Sequence, residues 1–395
     1  MEKALSGIRV LGATRMLAGP YCEMLLADMG AEVLHIELPG RGDESRHFAP
    51  LINGEGSCFI ASNRNKKSIT LDLRTPEGQE IFKDLVRVSD IVVENNRPGT
   101  MDKWNVGYKD LKEINPGIIM TSVSGFGQTG PYSQRAGLDI VAQAMGGLMF
   151  MTGEADGSPT RTGNAIGDFL GGLFATYGTL SALYYKQRTG KGQHVDAALL
   201  DSVIAVLENV IPNYVGLGKV TERMGSRIPG IAPYNTFLAK DGYVVIGVSS
   251  NQIWKRFVDV IGRPELNDDP RFNSPSARVE NVEEVEKITQ EWVSQKTVEE
   301  VVSILNEAGV ICGPVYSVEQ LIEDPHVKAR DMAPEIEHPV AGKLRLSGIT
   351  PKLSLTPGTI DSPPPALGDH NEEIYKGLLK YSDEKFKDLQ NRGII

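Results

Sequence analysis

Cysteine is scarce in this 395-residue chain. The three present, Cys22, Cys58 and Cys312, are odd in number, far apart and in no metal-like pair, which excludes a disulfide framework and a cysteine-built metal centre. No metal site is expected, and such thiols suit a reducing compartment. A membrane-spanning run is also missing. An uncharged apolar stretch, residues 169 to 185, falls short of the roughly 20 apolar residues that cross a bilayer and carries Gly171, Gly172, Thr176, Gly178, Thr179 and Ser181, so it reads as a buried helix. Positive charge is in deficit, 41 Lys and Arg against 51 Asp and Glu, a formal charge of −10. That excludes a nucleic-acid partner held by bulk electrostatics while leaving room for a local basic patch on a phosphorylated ligand. The opening "MEKALSGIRVLGATRM" lacks the apolar stretch and small-residue cleavage site of a secretory signal, so a cytoplasmic location is expected. There is no internal repeat and no low-complexity tract.

What is present is an ordinary globular composition, 41% hydrophobic and 23% charged. Through residue 125, short β-like runs ("IRVLG", "AEVLHIE", "DIVVEN", "GIIMTSVS") alternate with helical patterns, which predicts an α/β fold with a mostly parallel sheet. A long helix is expected from Asp168 to "RTGKG", with apolar residues at three- and four-residue intervals. Residues 218 to 235 are rich in Gly, Pro and charge without periodicity and read as a linker. "NTFLAKDGYVVIGV" then reads as two strands joined at Asp241-Gly242, opening a smaller α+β domain that runs to about residue 324. A second crossing spans 325 to 345, and the last element, from about Asn371 to Gln390, reads as one charged helix.

"SVSGFGQTGPYSQR" places Gly125, Gly127 and Gly130 directly after a strand-like run. A dinucleotide fingerprint would start a helix at its later glycines, so that amides and the helix dipole meet the pyrophosphate. Pro131 follows at once, no apolar stripe comes after it, and no strand ending in an acid arrives about 20 residues on. Two readings stay open, a ligand loop at a strand's C-terminal end or a tight turn.

Seven ordered blocks carry a resemblance: "LAGPYCEMLLADMGAEVLHIELPGRGDESR", "NRNKKSITLDLRTPEG", "DIVVENNRPGTMDKW", "SVSGFGQTGP", "TGEADGSPTRTGNAIGDFLGG", "RTGKGQHVDAALLD" and "LGDHNEEI". Together they resemble the class III CoA-transferases, of the formyl-CoA:oxalate and crotonobetainyl-CoA:carnitine type, with α-methylacyl-CoA racemase as a sister branch. The resemblance implies a Rossmann-like large domain that binds CoA, built from residues 1–217 with 346–395, and a small domain at 236–324. It also implies an interlocked homodimer. The CoA thioester would be a substrate, with no permanently bound cofactor, no nucleic acid and no membrane. Asp168 matches the family's nucleophile, which carries the acyl group as an anhydride and then CoA as a thioester; read alone, it is a helix N-cap. With an ordinary pKa near 3.9 it would be ionised at neutral pH. Asp139 matches an assisting carboxylate or caps its own helix, and Gly125, Gly127 and Gln128 shape the acyl-side loop. The positions carried over for CoA are Met16, Leu71, Asn95, Asn96, Arg97 and Lys103, with Arg135 beside a family basic position that is Ala136 here. Arg97 and Lys103 read alone are solvated surface charges. The alternative, a racemase acting by α-proton exchange, needs a His where this chain has Leu138 and a Glu where it has Ser250.

Overall fold

The computed structural model describes residues 2–395. The chain divides into two compact units: one made of the chain up to Leu148, Arg161–Ile211 and His326–Ile395, the other of Met149–Thr160 and Pro212–Pro325.

In the first unit the strands are β1 (Arg9–Ala13), β2 (Glu32–Glu37), β3 (Lys66–Thr70), β4 (Ile91–Glu94), β5 (Ile119–Ser124) and β6 (His194–Ala198). They form one sheet in the order β3-β2-β1-β4-β5-β6, with every pairing parallel. Such a sheet is covered on both faces, and its central strands β1 and β4 are accordingly buried and largely apolar. One core joins Leu11, Leu34, Val92 and Met120 to Ile81, Phe82, Leu85 and Val86. The other joins Val10, Val33, Ile91 and Ile119 to Cys22, Leu26, Ala175 and Leu183.

Helix α1 (Ala18–Asp28) follows β1, and α2 (Pro76–Arg87) begins where Thr75 Oγ1 accepts from Gly78 N at 3.0 Å with proline next in line. The short helix α3 (Asp139–Met145) precedes α4 (Ile166–Thr189), which Gly190 ends in left-handed conformation at φ 71°. The strand order 3-2-1-4-5-6 reverses direction between β1 and β4, and in open α/β sheets ligands settle outside the carboxyl ends at that reversal.

The second unit holds an antiparallel sheet ordered β9-β8-β7, from β7 (Tyr234–Leu238), β8 (Tyr243–Gly247) and β9 (Ile311–Pro314). Its helices α5 (Asn251–Val260), α6 (Val282–Val293) and α7 (Val298–Glu307) cover one face. Ser250 is the N-cap of α5, accepting from Ile253 N at 3.3 Å, a structural duty rather than an acid–base one.

Three boundaries differ from the sequence reading. Met149–Thr160 belongs with the second unit because Arg223 donates to Phe150 O and Gly157 O and Gly225 N donates to Gly153 O. The stretch read as a return linker carries a helix at Pro325–Ala329 and a hairpin, β10 (Glu335–His338) with β11 (Gly342–Arg345). The C-terminal helix is broken: a wide turn at Glu372–Leu378 gives way, past Lys380 at φ 59°, to a separate helix at Asp383–Asn391 capped by Ser382.

Candidate active site

The loops that leave β1 and β4 meet at the sheet's reversal. Asn95 accepts from Arg15 N at 2.9 Å and returns a hydrogen bond to Arg15 O at 2.8 Å, so the two loops are locked backbone to side chain. Asn96 reaches Ala13 O at 3.3 Å. Met16 sits at φ 66°, a conformation costing a non-glycine residue about 1–2 kcal/mol. Both oxygens of Asp43 accept from its amide, at 3.2 and 3.0 Å, and hold it there.

Beside this junction lies a cavity of about 320 Å³. Leu71 and Asn96, two of the positions carried over for CoA, line it, whereas Met16 and Asn95 do not; Arg15, Arg41, Arg74 and Trp104, which the sequence reading missed, line it too. The lining also carries Glu37, Asp43, Glu44 and Asp72, and Arg74 pairs with Asp72 at 2.7 Å while Arg15 stands 3.7 Å from Glu44, so the three guanidiniums and the indole lie in a mixed-charge cavity. Arg15 adjoins Met16 and Arg74 follows Leu71 in the same quoted block, so proximity within the blocks was the available signal.

The remaining basic candidates are placed differently. Lys103 is exposed and does not line this cavity. Arg135 stacks on Tyr132 at 4.5 Å and Phe126 at 5.7 Å, so its charge is spent on neighbouring rings. Arg97 donates to Gln134 O and lines a second cavity of about 500 Å³ with Gln128, His194 and Glu94. Burial pushes the Glu94 carboxyl up to about 7, against hydrogen bonds from Ser122 and Asn96.

The dinucleotide reading fails, because no helix starts between the end of β5 at Ser124 and Asp139. The amides of Gly127 and Gln128 are engaged within the fold. Gly127 N donates to Ser124 Oγ at 3.1 Å, and Gln128 N donates to both oxygens of Asp196, at 3.1 and 2.9 Å. Gly125 serves a close approach, since a Cβ there would lie 2.7 Å from Gly137 Cα. That contact sets the chain's path into Asp139.

Asp168 lies within the first turn of α4, whose N-cap is Ala165, so it is not itself the cap. Asp139 supplies the cap from another helix: its Oδ1 accepts from Gly167 N at 2.8 Å, and both its oxygens accept from Gln143 Nε2, at 3.0 and 2.8 Å. Asp139 therefore caps α4 rather than its own helix. Gln143 Oε1 in turn accepts from Thr162 N at 3.1 Å.

Further along α4, a Cβ on Gly172 would come within 2.7 Å of Ala18 O, and Phe169 meets Tyr21 edge to face at 4.9 Å. This tight seam with α1 brings Asp168 to the Met16 loop. Cys58 registers the same neighbourhood: burial raises its thiol pKa, and the charges of Asp43 and Asp168 raise it further.

Asp168 is half-buried and makes no ion pair or side-chain hydrogen bond among the described residues. Burial first, and the charge of Asp139 second, push its carboxyl up to about 7. The helix N-terminus favours the anion, and burial outweighs it. The carboxylate is thus only partly ionised near neutrality, contrary to the ordinary value assumed from sequence. At the position where a racemase needs histidine, Leu138 stands 71% exposed, with no proton to give.

The model of CoA-transferase family III matches residues 5–371. The chain belongs to that family. It is 42% identical to the succinyl-CoA–D-citramalate CoA-transferase of Chloroflexus aurantiacus, covering 100% of this chain and 98% of the relative. It is 38% identical to the human succinyl-CoA:glutarate CoA-transferase, covering 100% and 90%. Among solved structures it is similar to a CaiB/BaiF family protein from Brucella suis, with a TM-score of 0.87 and 38% identity over 96% of this chain and 100% of that one. The family expectation drawn from the quoted blocks therefore holds, and the protein is a class III CoA-transferase.

Proposed function

We propose that this transferase moves CoA between short dicarboxylic acids with Asp168 as the covalent relay. A single observation carries the reading: a half-buried carboxyl with no neutralising partner, in the first turn of α4 beside the loop junction at the sheet's reversal. The substrate class comes from the relatives, whose names pair succinyl-CoA with citramalate or glutarate.

In the proposed sequence the Asp168 carboxylate adds to the thioester carbonyl and the C–S bond breaks, giving a mixed anhydride and CoA thiolate. The thiolate then attacks the aspartyl carbonyl and displaces the donor acid as its carboxylate. The acceptor carboxylate reverses both steps and leaves as its CoA ester. No general base is needed, because the nucleophiles are anions. Partial burial raises the basicity of Asp168 and limits water, which would otherwise hydrolyse the anhydride. The nucleotide end of CoA would occupy the 320 Å³ cavity, its phosphates near Arg15, Arg41 and Arg74 and its base against Trp104. Asn95, Asn96 and Met16 would border the pantetheine path, while Arg97 lines the other cavity.

The test is trapping. Incubation with succinyl-CoA, then hydroxylamine, should leave a hydroxamate on the peptide containing Asp168, and Asp168→Asn should show neither adduct nor turnover. A racemase would instead exchange the α-proton in deuterated water with no acceptor acid present. Failure to label Asp168 with any acyl-CoA would refute the relay.

The homodimer is part of the same proposal. On α4, Leu173, Tyr177, Leu180 and Tyr184 recur at three- and four-residue spacing and are 50%, 69%, 39% and 64% exposed. An exposed stripe of that size marks an interaction surface, and the resemblance supplies a second copy, interlocked, as its occupant. Tyr177→Asp should shift the sedimentation coefficient toward a monomer; an unchanged dimer would exclude this face.

A further inference from the structure

We propose that Arg161 holds the second, unreacting carboxylate of the substrate and so sets the preference for diacids over monoacids; this rests on the reading of Asp168 as the acyl carrier. Arg161 Nε lies 3.8 Å from Asp139 Oδ2, too far for a hydrogen bond, and its side chain is 41% exposed. Asp139 has little need of it. Both carboxylate oxygens already accept hydrogen bonds, from Gly167 N and from Gln143 Nε2 at 3.0 Å or less. Arg161 makes no other ion pair or hydrogen bond among the described residues. A guanidinium offers five donors in a planar fork that matches a carboxylate, and here that fork has no protein acceptor.

The root of the side chain is nevertheless fixed. The next residue, Thr162, donates from N to Gln143 Oε1 at 3.1 Å and from Oγ1 to Asn164 O at 3.0 Å. Gln143 is the residue that also grips Asp139, which caps α4 and raises the Asp168 pKa. One short network therefore ties the backbone beside Arg161 to the start of the helix that carries the nucleophile. Its anchoring is rigid and its head is unused.

Charge gives this arrangement a purpose. When one carboxyl of a diacid reacts at Asp168, which carries no charge as anhydride or thioester, the other brings a negative charge to the neighbourhood of Asp139, and like charges repel. Arg161 is the cation beside Asp139, placed to offset that repulsion. A monoacid brings no such charge and gains nothing from it.

The experiment charges the enzyme with CoA and follows discharge of the trapped aspartyl-CoA adduct in a single turnover, by glutarate and by butyrate in parallel. Arg161→Gln should raise the half-saturating concentration of glutarate tenfold or more, a typical loss for a charge-assisted hydrogen bond, while butyrate changes less than twofold. Arg161→Lys should recover part of the glutarate affinity. Thermal melts of both variants check the fold. Equal losses for the two acids would overturn the assignment and leave a structural role. A wild-type enzyme that discharges to butyrate as readily as to glutarate would also overturn it. A wild-type enzyme that forms no adduct on Asp168 would instead strike the proposed relay, and this inference with it.

Discussion

Replacing Asp139 with asparagine separates geometry from electrostatics at the proposed nucleophile. The carboxyl of Asp168 is raised from 3.8 to about 7, with burial the larger cause and Asp139 the smaller. Removing the smaller cause should lower it by less than half of that rise, by about one unit. In the proposed mechanism Asp168 works as the anion, so a lower pKa makes it competent at lower pH. At pH 6 the ionised fraction would climb from roughly one tenth to roughly one half, a gain of about fivefold. At pH 8 both enzymes are largely ionised and the comparison reports geometry instead. There a loss is expected. The substituted amide can still accept from Gly167 N through its oxygen, but its nitrogen then faces Gln143 Nε2, donor against donor, and Gln143 cannot turn over without breaking its bond from Thr162 N. That mismatch costs about 1–3 kcal/mol. The assay is kcat/KM for transfer from succinyl-CoA across pH 5.5 to 8.5. The mutant-to-wild-type ratio should be several-fold higher at pH 6 than at pH 8. A ratio flat across pH, or lower in acid, would show that Asp139 does not raise the pKa of the group that limits the reaction.

Two further substitutions follow from packing and burial. Gly172→Ala puts a Cβ 2.7 Å from Ala18 O, a backbone atom that cannot turn aside, whereas Gly178→Ala meets Val195 Cγ1 at the same 2.7 Å, a side-chain methyl that can. The first should cost about 1–3 kcal/mol and depress turnover by parting α4 from α1; the second should cost clearly less, and denaturant melts with equal losses would contradict the argument. Glu94→Gln should stabilise the protein in base. Its folded pKa of about 7 lies above the ordinary 4.5, so the native state keeps a proton that the unfolded chain releases, and stability falls as pH rises from 4.5 through 7. The glutamine variant lacks this decline, so its advantage should grow by roughly 2–3 kcal/mol between pH 5 and pH 8; a gap that stays constant would mean that Glu94 is ionised in the fold throughout.

The fold was legible wherever a pattern is local. "DIVVEN" and "GIIMTSVS" became β4 and β5, and Asp241-Gly242 joins β7 to β8. Local pattern failed where distant residues decide. Helix α4 starts before Asp168 because Asp139 satisfies Gly167 N from another helix, a cap with no signature near the helix it caps. The run from 325 to 345 reads as irregular because its strands are only four residues each, too short for an alternation to stand out.

The site follows the same division, and it bears on how this enzyme would be tuned. That Asp168 carries the reaction is suggested by the blocks around it, but its acidity belongs to its neighbours: burial under the α1–α4 seam and the charge of Asp139. Gly172 and Tyr21 hold the α1–α4 seam and Asp139 supplies the charge, though none touches a reacting atom in the proposed mechanism. Loosening the seam should therefore act opposite to closing it. Gly172→Ala, by admitting water beside Asp168, should lower its pKa and move the acid limb of activity down even as turnover falls. If the limb instead rises or stays fixed while turnover drops, burial is not what holds this carboxyl near neutrality.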